Sequence, residues 1–136
     1  MTTSQPQKSA SSIAVLLPCF NEDATISGVI TAFSESLPDA QIYVCDNAST
    51  DNTAECARLA GAHVMSETKQ GKAHAVRRLF NAVDADIYLL SDGDLTYDAS
   101  AAPMLIDALI EKQCEMIIAA RDSATGQKTY RPGHSL

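Results

Sequence analysis

Two aspartates separated by one glycine, Asp92-Gly93-Asp94, follow an apolar run from Ile87 to Leu90 with only Ser91 between. A buried strand that ends in this way presents two carboxylates at one edge of a sheet, with little side-chain bulk between them. Magnesium is commonly held by one or two carboxylates together with substrate phosphates. The spacing therefore indicates a metal–phosphate site, although Asp-Gly-Asp is also an ordinary turn sequence.

Charged or amide side chains follow three further apolar runs. They stand in Pro18-Cys19-Phe20-Asn21-Glu22, in Asp46-Asn47 and at Arg121. In open α/β sheets, ligands bind beyond the carboxyl ends of the strands, near the point where the strand order reverses. We therefore expect these groups to converge on one ligand site.

The residue types suit different parts of a ligand. Asp46 or Asn47 can accept from or donate to a nucleobase or ribose, and Asp92 and Asp94 suit a metal. Lys72 and Arg121 suit phosphate oxygens, Arg121 through its planar fork.

The elements that would position these side chains alternate along the chain. Short apolar runs predict strands at 13–17, 42–45, 62–65, 86–91 and 116–120, and helical spacing of apolar residues predicts a helix in each interval. Asn21-Glu22-Asp23 and Ser49-Thr50-Asp51 are expected to start the first two helices. Four β-α units and a final strand predict an α/β fold, a three-layer sandwich with a mainly parallel sheet and helices on both faces. No periodic element is predicted after Arg121.

Composition is that of one globular domain. The chain has 136 residues, 46% hydrophobic and 20% charged, and a formal net charge of −7, which argues against a general nucleic-acid surface. No apolar stretch approaches the roughly 18 residues that span a membrane. We expect a flexible tail at 1–12, one domain at 13–121 and a second tail at 122–136. Cys19, Cys45, Cys56 and Cys114 form no C-x-x-C pair, which is typical of reduced thiols in a cytoplasmic protein.

Two common phosphate-binding signatures are missing from the sequence. The first predicted strand is not followed by G-x-G-x-x-G, and no G-x-x-x-x-G-K-[ST] occurs. A dinucleotide-binding Rossmann domain is therefore disfavoured and a P-loop ATPase is excluded. A metal must supply the neutralisation that a glycine-rich loop would otherwise share.

Four segments, in order, resemble the motifs of family-two glycosyltransferases. The P-x-[YF]-N-E motif is matched by Pro18 to Glu22, D-[DN]-x-S-x-D-x-T by Asp46 to Thr53, G-K-x-x-A by Gly71 to Ala75, and D-x-D by Asp92 to Asp94. Tyr130 to His134 is similar to a segment of the dolichyl-phosphate-mannose-synthase-like members. The resemblance covers roughly residues 13 to 121.

The resemblance implies a Rossmann-like GT-A nucleotide-sugar-binding domain, a nucleotide-diphosphate sugar donor and inversion at the anomeric carbon. Pro18, Phe20 and Glu22 would shape the nucleoside pocket, and Asp46, with Asn47 beside it, would contact the base. Asp94, helped by Asp92, would hold Mg²⁺ or Mn²⁺ on the diphosphate, and Lys72 and Arg121 would be further donor contacts. Phe20 stands where many members have tyrosine, so it keeps the stacking face without the hydroxyl.

The family places its catalytic base in an acceptor half later in the chain. We therefore expect the base beyond Leu136, and we expect the isolated chain to bind a donor without transferring the sugar. The resemblance extends to lipid-phosphate and polysaccharide acceptors and to cell envelope biosynthesis. Any membrane association is expected through regions outside these residues.

Two alternatives remain open from the sequence. A sugar-phosphate nucleotidylyltransferase has a related fold, but it should carry a glycine- and arginine-rich loop where Pro18 to Glu22 stand. A non-catalytic nucleotide-binding module of flavodoxin-like shape would also cluster aspartates. A receiver-type module should have a lysine after its last strand, where this chain has Arg121.

Overall fold

The structure is a computed structural model that describes residues 11–112 and the backbone of two strands at 117–121 and 128–132. Its strands are β1 (Ile13–Cys19), β2 (Gln41–Asp46), β3 (His63–Ser66), β4 (Ile87–Leu90), β5 (Ile117–Arg121) and β6 (Lys128–Pro132). Its helices are α1 (Ile26–Ser36), α2 (Thr53–Leu59), α3 (Lys72–Ala82) and α4 (Ala102–Glu111), the last preceded by a 3₁₀ turn at Ala99–Ala101.

Strands β1 to β4 form a parallel sheet in the order β3-β2-β1-β4. Along the chain, β2 pairs with one edge of β1 and β3 then pairs with β2. The chain next crosses over, and β4 pairs with the other edge of β1. The strand order therefore reverses between β1 and β4, where a crevice opens beyond the carboxyl ends of the strands. The α/β fold with a parallel sheet, predicted from the sequence, is confirmed.

Strand β1 is buried on both faces because helices cover both. Val15, Leu17 and Cys19 pack into one core with the buried residues of α1 and α4. Ala14 and Leu16 point to the opposite face and pack against α3. Helix α1 buries Ile26, Val29, Ile30 and Phe33, the spacing of one apolar stripe.

Two expectations about the end of the chain are wrong. β5 does not join the parallel sheet but pairs antiparallel with β6, with Arg121 opposite Lys128. A further element therefore follows Arg121, and Arg121 does not end a strand of the four-stranded sheet. The sequence Lys-Thr-Tyr-Arg-Pro of β6 has no apolar period, so hydrophobic patterning could not reveal a strand that forms by pairing with its neighbour.

The two segments that were predicted to start α1 and α2 contain residues that join two loops to each other by hydrogen bonds. Helix α1 begins at Ile26, and the backbone N–H groups of Asn21 and Glu22 donate to Ser49 Oγ and Thr53 Oγ1, both at 2.8 Å. In return, the Thr50 backbone N–H donates to Asn21 Oδ1 at 2.9 Å. The loops that follow β1 and β2 are thus fastened by reciprocal hydrogen bonds, which fixes their shape at the crevice.

The flexible tail expected at 1–12 lies mostly outside the described residues. Residues 1–10 and 133–136 lie outside the described part of the chain, and Ser12 is tied by its backbone N–H to Asp86 Oδ2 at 2.9 Å. Within the described ranges, no helix has the length and apolar character needed to cross a membrane.

Candidate functional site

A cleft opens beyond the carboxyl ends of β1, β2 and β4, with a cavity volume of about 160 Å³. Pockets that enclose a drug-sized ligand typically measure about 300–1,000 Å³, so the described residues enclose only part of a site of that size. The lining comes from four distant segments: Pro18, Cys19, Phe20, Glu22, Asn47, Lys72, Ala75 and Asp92. Six of these eight were proposed from the sequence, and Cys19 and Ala75 were not.

The end of β1 supplies the wall nearest the sheet. Pro18 and Cys19 are buried, whereas Phe20 leaves 47% of its surface exposed although it is a large apolar residue. An exposed aromatic ring at the mouth of a cleft offers a flat face on which a planar base can stack. Glu22 follows two residues after Phe20 and is partly buried at the cleft.

Gly93 lies against the end of β1 at a separation that only glycine allows. A Cβ atom on Gly93 would overlap Cys19 Sγ and would meet Ile26 Cδ1 at 3.3 Å. The Gly93 carbonyl also accepts a hydrogen bond from Thr25 Oγ1 at 2.8 Å. The segment between the two aspartates is therefore pinned beneath the loop after β1, and this contact holds both carboxylates at the crevice.

The two aspartates have different surroundings. Asp92 Oδ1 lies 2.6 Å from Lys72 Nζ, so the carboxylate is paired with the ammonium group across the cleft. Asp94 Oδ1 accepts hydrogen bonds from the Thr96 backbone N–H at 3.1 Å and from Thr96 Oγ1 at 2.5 Å, in a local turn. Asp92 is thus linked to another element of the site, while Asp94 is oriented by its own loop.

Asn47 is a buried side chain with 4% of its surface exposed. Its Nδ2 donates to the carbonyls of Glu67 at 3.0 Å and Lys69 at 2.9 Å, and its Oδ1 accepts from the Gly71 backbone N–H at 2.9 Å. Both amide hydrogens are therefore used within the protein. The structure shows Asn47 tying the loop that precedes α3 to the end of β2, a task that its residue type alone does not reveal.

Two other proposed site residues lie apart from the cleft lining. Asp46 is half-buried beside the cleft, and its Oδ1 accepts from the Ser49 backbone N–H at 3.2 Å. The side chain of Arg121 lies outside the described residues. Their predicted donor contacts stay predictions.

The acidic groups at the cleft can be tested as ligands for the divalent metal that the resemblance implies. Among the described residues, no three His, Cys, Asp or Glu side chains form a cluster able to hold a metal ion. A magnesium site built from one or two carboxylates plus phosphate oxygens needs no such cluster. Asp92 and Asp94 therefore fit a metal that arrives with a diphosphate, and they do not form a self-sufficient metal site.

Several carboxylates lie near one another at the cleft, and their negative charges contribute to raising the pKa values of Glu22 and Cys19. Burial raises the pKa of Glu22 above its ordinary value, and the carboxylates of Asp94 and Asp92 raise it further, while a hydrogen bond from Thr25 opposes them. Burial, followed by the charges of Glu22 and Asp46, raises the pKa of the Cys19 thiol far above its ordinary value. The thiolate, which is the nucleophilic form of a cysteine, is therefore disfavoured at Cys19.

Comparison with known families identifies a match over almost the whole chain. The family model described as Glycosyl transferase family 2 matches residues 14–136. This range contains the whole of the cleft lining.

Similar proteins include one short chain and several longer ones. The Protein RfbJ of Shigella flexneri is 52% identical over 122 residues, which are 90% of this chain and 95% of that protein. Glycosyltransferase AglJ of Haloferax volcanii is 39% identical over 100 residues, 73% of this chain but only 33% of AglJ.

A solved structure shares the fold. Glucosyl-3-phosphoglycerate synthase from Mycobacterium tuberculosis, crystallised with Mn²⁺, UDP-glucose and phosphoglyceric acid, superposes with a TM-score of 0.66 at 32% identity. The similarity covers 75% of this chain and 40% of the synthase. This chain therefore spans less than half of that enzyme.

Substituting Gly93 tests the close contact with Cys19. We expect Gly93→Ala to lower the free energy of unfolding by about 1–3 kcal/mol, because the added Cβ overpacks against the sulfur. Cys19→Ala removes that sulfur, so the double variant should lose at least about 1 kcal/mol less than the sum of the single changes. Urea denaturation of the four proteins measures this coupling.

Gly28→Ala is the matched control for Gly93→Ala. A Cβ on Gly28 would meet Leu95 Cδ2 at 3.5 Å, an ordinary contact, and Gly28 lies within α1. We expect this change to be neutral or to stabilise by up to about 1 kcal/mol. A Gly93→Ala protein as stable as the parent, or strictly additive effects with Cys19→Ala, would contradict the packing described here.

Because the pKa of Glu22 is raised in the folded protein, Glu22→Gln is predicted to increase thermal stability in a pH-dependent way. A carboxyl whose pKa is higher in the folded state costs stability once pH rises above its unfolded value, and the cost disappears when both states are protonated. Glu22→Gln should therefore raise Tm at about pH 7 and leave it unchanged below about pH 4. Thermal unfolding followed by circular dichroism measures both, with the exposed Glu35→Gln on α1 as the charge-matched control. Equal gains from the two variants would refute a local effect.

Proposed function

Because the chain belongs to glycosyl transferase family 2, we propose that its cleft binds a nucleotide-diphosphate sugar as the donor for sugar transfer. The observation that carries the proposal is convergence: segments near residues 18–22, 47, 72 and 92 line one cleft at the strand-order reversal. A sugar-phosphate nucleotidylyltransferase and a non-catalytic nucleotide-binding module are both disfavoured by the family match over residues 14–136.

The nucleoside is proposed to lie against the end of β1. The exposed ring of Phe20 provides a stacking face, and Pro18 and Glu22 shape the floor and side of the cleft. Asp46 is proposed to reach the base from the end of β2. Lys72, at the start of α3, and Arg121 are proposed to contact phosphate oxygens, as cations with directed donors do.

Asp94 and Asp92 are proposed to hold Mg²⁺ or Mn²⁺ with the diphosphate. The related Mycobacterium tuberculosis synthase has been crystallised with Mn²⁺ or Mg²⁺ and UDP. When bound, such a metal acts as a Lewis acid that stabilises the charge developing on the departing nucleoside diphosphate. This chain's residues orient the donor.

Inversion is proposed as the stereochemical outcome. In a single displacement the acceptor oxygen bonds to the anomeric carbon while the carbon–oxygen bond to the diphosphate breaks on the opposite face. No covalent sugar–enzyme intermediate is needed for this outcome. We propose that the base that removes the acceptor proton comes from a further segment, such as those that the longer relatives have in addition to the matched range. A lipid-linked phosphate or a polysaccharide is the proposed acceptor class.

Calorimetric titration tests donor binding. We expect UDP-, GDP- or dTDP-sugars to bind in the presence of Mn²⁺ with a Kd between about 1 μM and about 1 mM. Asp94→Asn keeps an oxygen that can accept the Thr96 hydrogen bonds but removes the charge, so it should weaken metal-dependent binding by at least about tenfold. Asp94→Ala should abolish it.

Asp107→Asn supplies the control, since Asp107 is exposed on α4 and its loss changes net charge equally. It should bind the nucleotide sugar as the parent does. Binding that is indifferent to Mn²⁺, or that survives in Asp94→Ala, would overturn the proposed metal site.

A further inference from the structure

Lys72 and Asp92 form an ion pair across the cleft although neither is buried. Lys72 Nζ lies 2.6 Å from Asp92 Oδ1, and the two side chains are 63% and 49% exposed. Exposed ion pairs contribute little to folding stability. The pair is therefore better understood from what it does to the binding site than from what it adds to the fold.

The backbone that carries Lys72 is fixed. Gly71, directly before it, donates to Asn47 Oδ1 at 2.9 Å, and Asn47 also holds the carbonyls of Glu67 and Lys69. Gly71 has φ +133°, a conformation that other residues rarely adopt. The start of α3 is thus anchored to the end of β2, while the four-carbon side chain of Lys72 can still move.

The pair places an ammonium group on one of the two carboxylates that fit a divalent metal. Among the described residues no three-ligand cluster exists, so a metal at Asp92 and Asp94 depends on oxygens from its ligand. A divalent cation that arrives alone must compete with Lys72 for Asp92. When the cation arrives with a diphosphate, Lys72 competes less for Asp92, because the phosphate oxygens offer its ammonium group an alternative partner.

We propose that Lys72 makes metal binding depend on the diphosphate. In the nucleotide-free protein its ammonium group neutralises Asp92 and disfavours the metal alone. When a nucleoside diphosphate enters, the ammonium group moves to a phosphate oxygen and Asp92 becomes available to the metal. This inference rests on the proposed donor site and adds to it an order of events: metal and diphosphate bind together.

Binding of Mn²⁺ alone, followed by the electron paramagnetic resonance signal of free Mn²⁺, tests the proposal. Lys72→Met removes the competing charge and keeps a stem of similar length, so Mn²⁺ alone should bind about two- to fivefold more tightly, the range of an exposed ion pair. UDP, titrated with Mn²⁺ present, should bind about tenfold more weakly because its phosphate loses a charged donor. The two effects have opposite signs.

Three variants exclude simpler explanations. Lys72→Arg keeps the charge and should leave Mn²⁺ affinity within about twofold of the parent. Lys69→Met removes one positive charge from an exposed side chain in the preceding loop and should have a smaller effect than Lys72→Met on Mn²⁺ affinity. In an Asp92→Asn background, Lys72→Met should change Mn²⁺ affinity no more than Lys69→Met does.

The parent protein separates the two proposals. If it binds UDP with Mn²⁺ but Lys72→Met leaves Mn²⁺ affinity unchanged or weaker, the competition is refuted and the donor site stands. If the parent binds no nucleotide with Mn²⁺, the donor site itself fails. Equal tightening of Mn²⁺ binding in Lys69→Met and Lys72→Met would also refute the role of Lys72, since it would show a general effect of net charge.

Discussion

The close approach of Gly93 to the end of β1 is the constraint on which the site depends. Because Cys19 Sγ would overlap a Cβ atom at Gly93, the position between Asp92 and Asp94 has no room for a side chain. The hydrogen bond from Thr25 Oγ1 to the Gly93 carbonyl fixes the same segment from above. Because β1 is an interior, buried strand of the sheet, the loop that carries the two carboxylates is held against a well-packed element.

Around that contact, polar side chains shape the loops more than they contact a ligand. Ser49 and Thr53 accept from the loop after β1, and Asn21 accepts from the loop after β2. Asp51 belongs to the same set: its burial alone would raise its pKa, but hydrogen bonds from Thr53 and from the Asp23 backbone outweigh burial and lower it. A site assembled in this way is preorganised, so donor binding need not also order the loops.

The sequence predicted what depends on periodicity and on strand ends. The parallel strands and the side chains of Phe20, Glu22 and Asp92 at one cleft follow from apolar runs and from the rule for open sheets, whereas Lys72, at the start of α3, was chosen for its charge and for the family resemblance of its segment. The sequence could not show that Asn47 donates both amide hydrogens to backbone carbonyls, because these hydrogen bonds depend on the path of the loop at 67–71. Cys19 was missed because a cysteine in an apolar run is ordinarily a core residue, and β6 was missed because its sequence has no apolar period.

Paramagnetic broadening in nuclear magnetic resonance tests whether a metal-bound diphosphate lies between β1 and β4, as proposed. With UDP present and a small amount of Mn²⁺, we expect selective loss of the backbone amide signals of Phe20, Glu22, Gly93 and Asp94. The amides of Ala40 and Gly61, at the opposite edge of a sheet whose six-residue β2 spans about 20 Å, should keep their intensity. Equal broadening at both edges, or none near Gly93, would contradict this proposal.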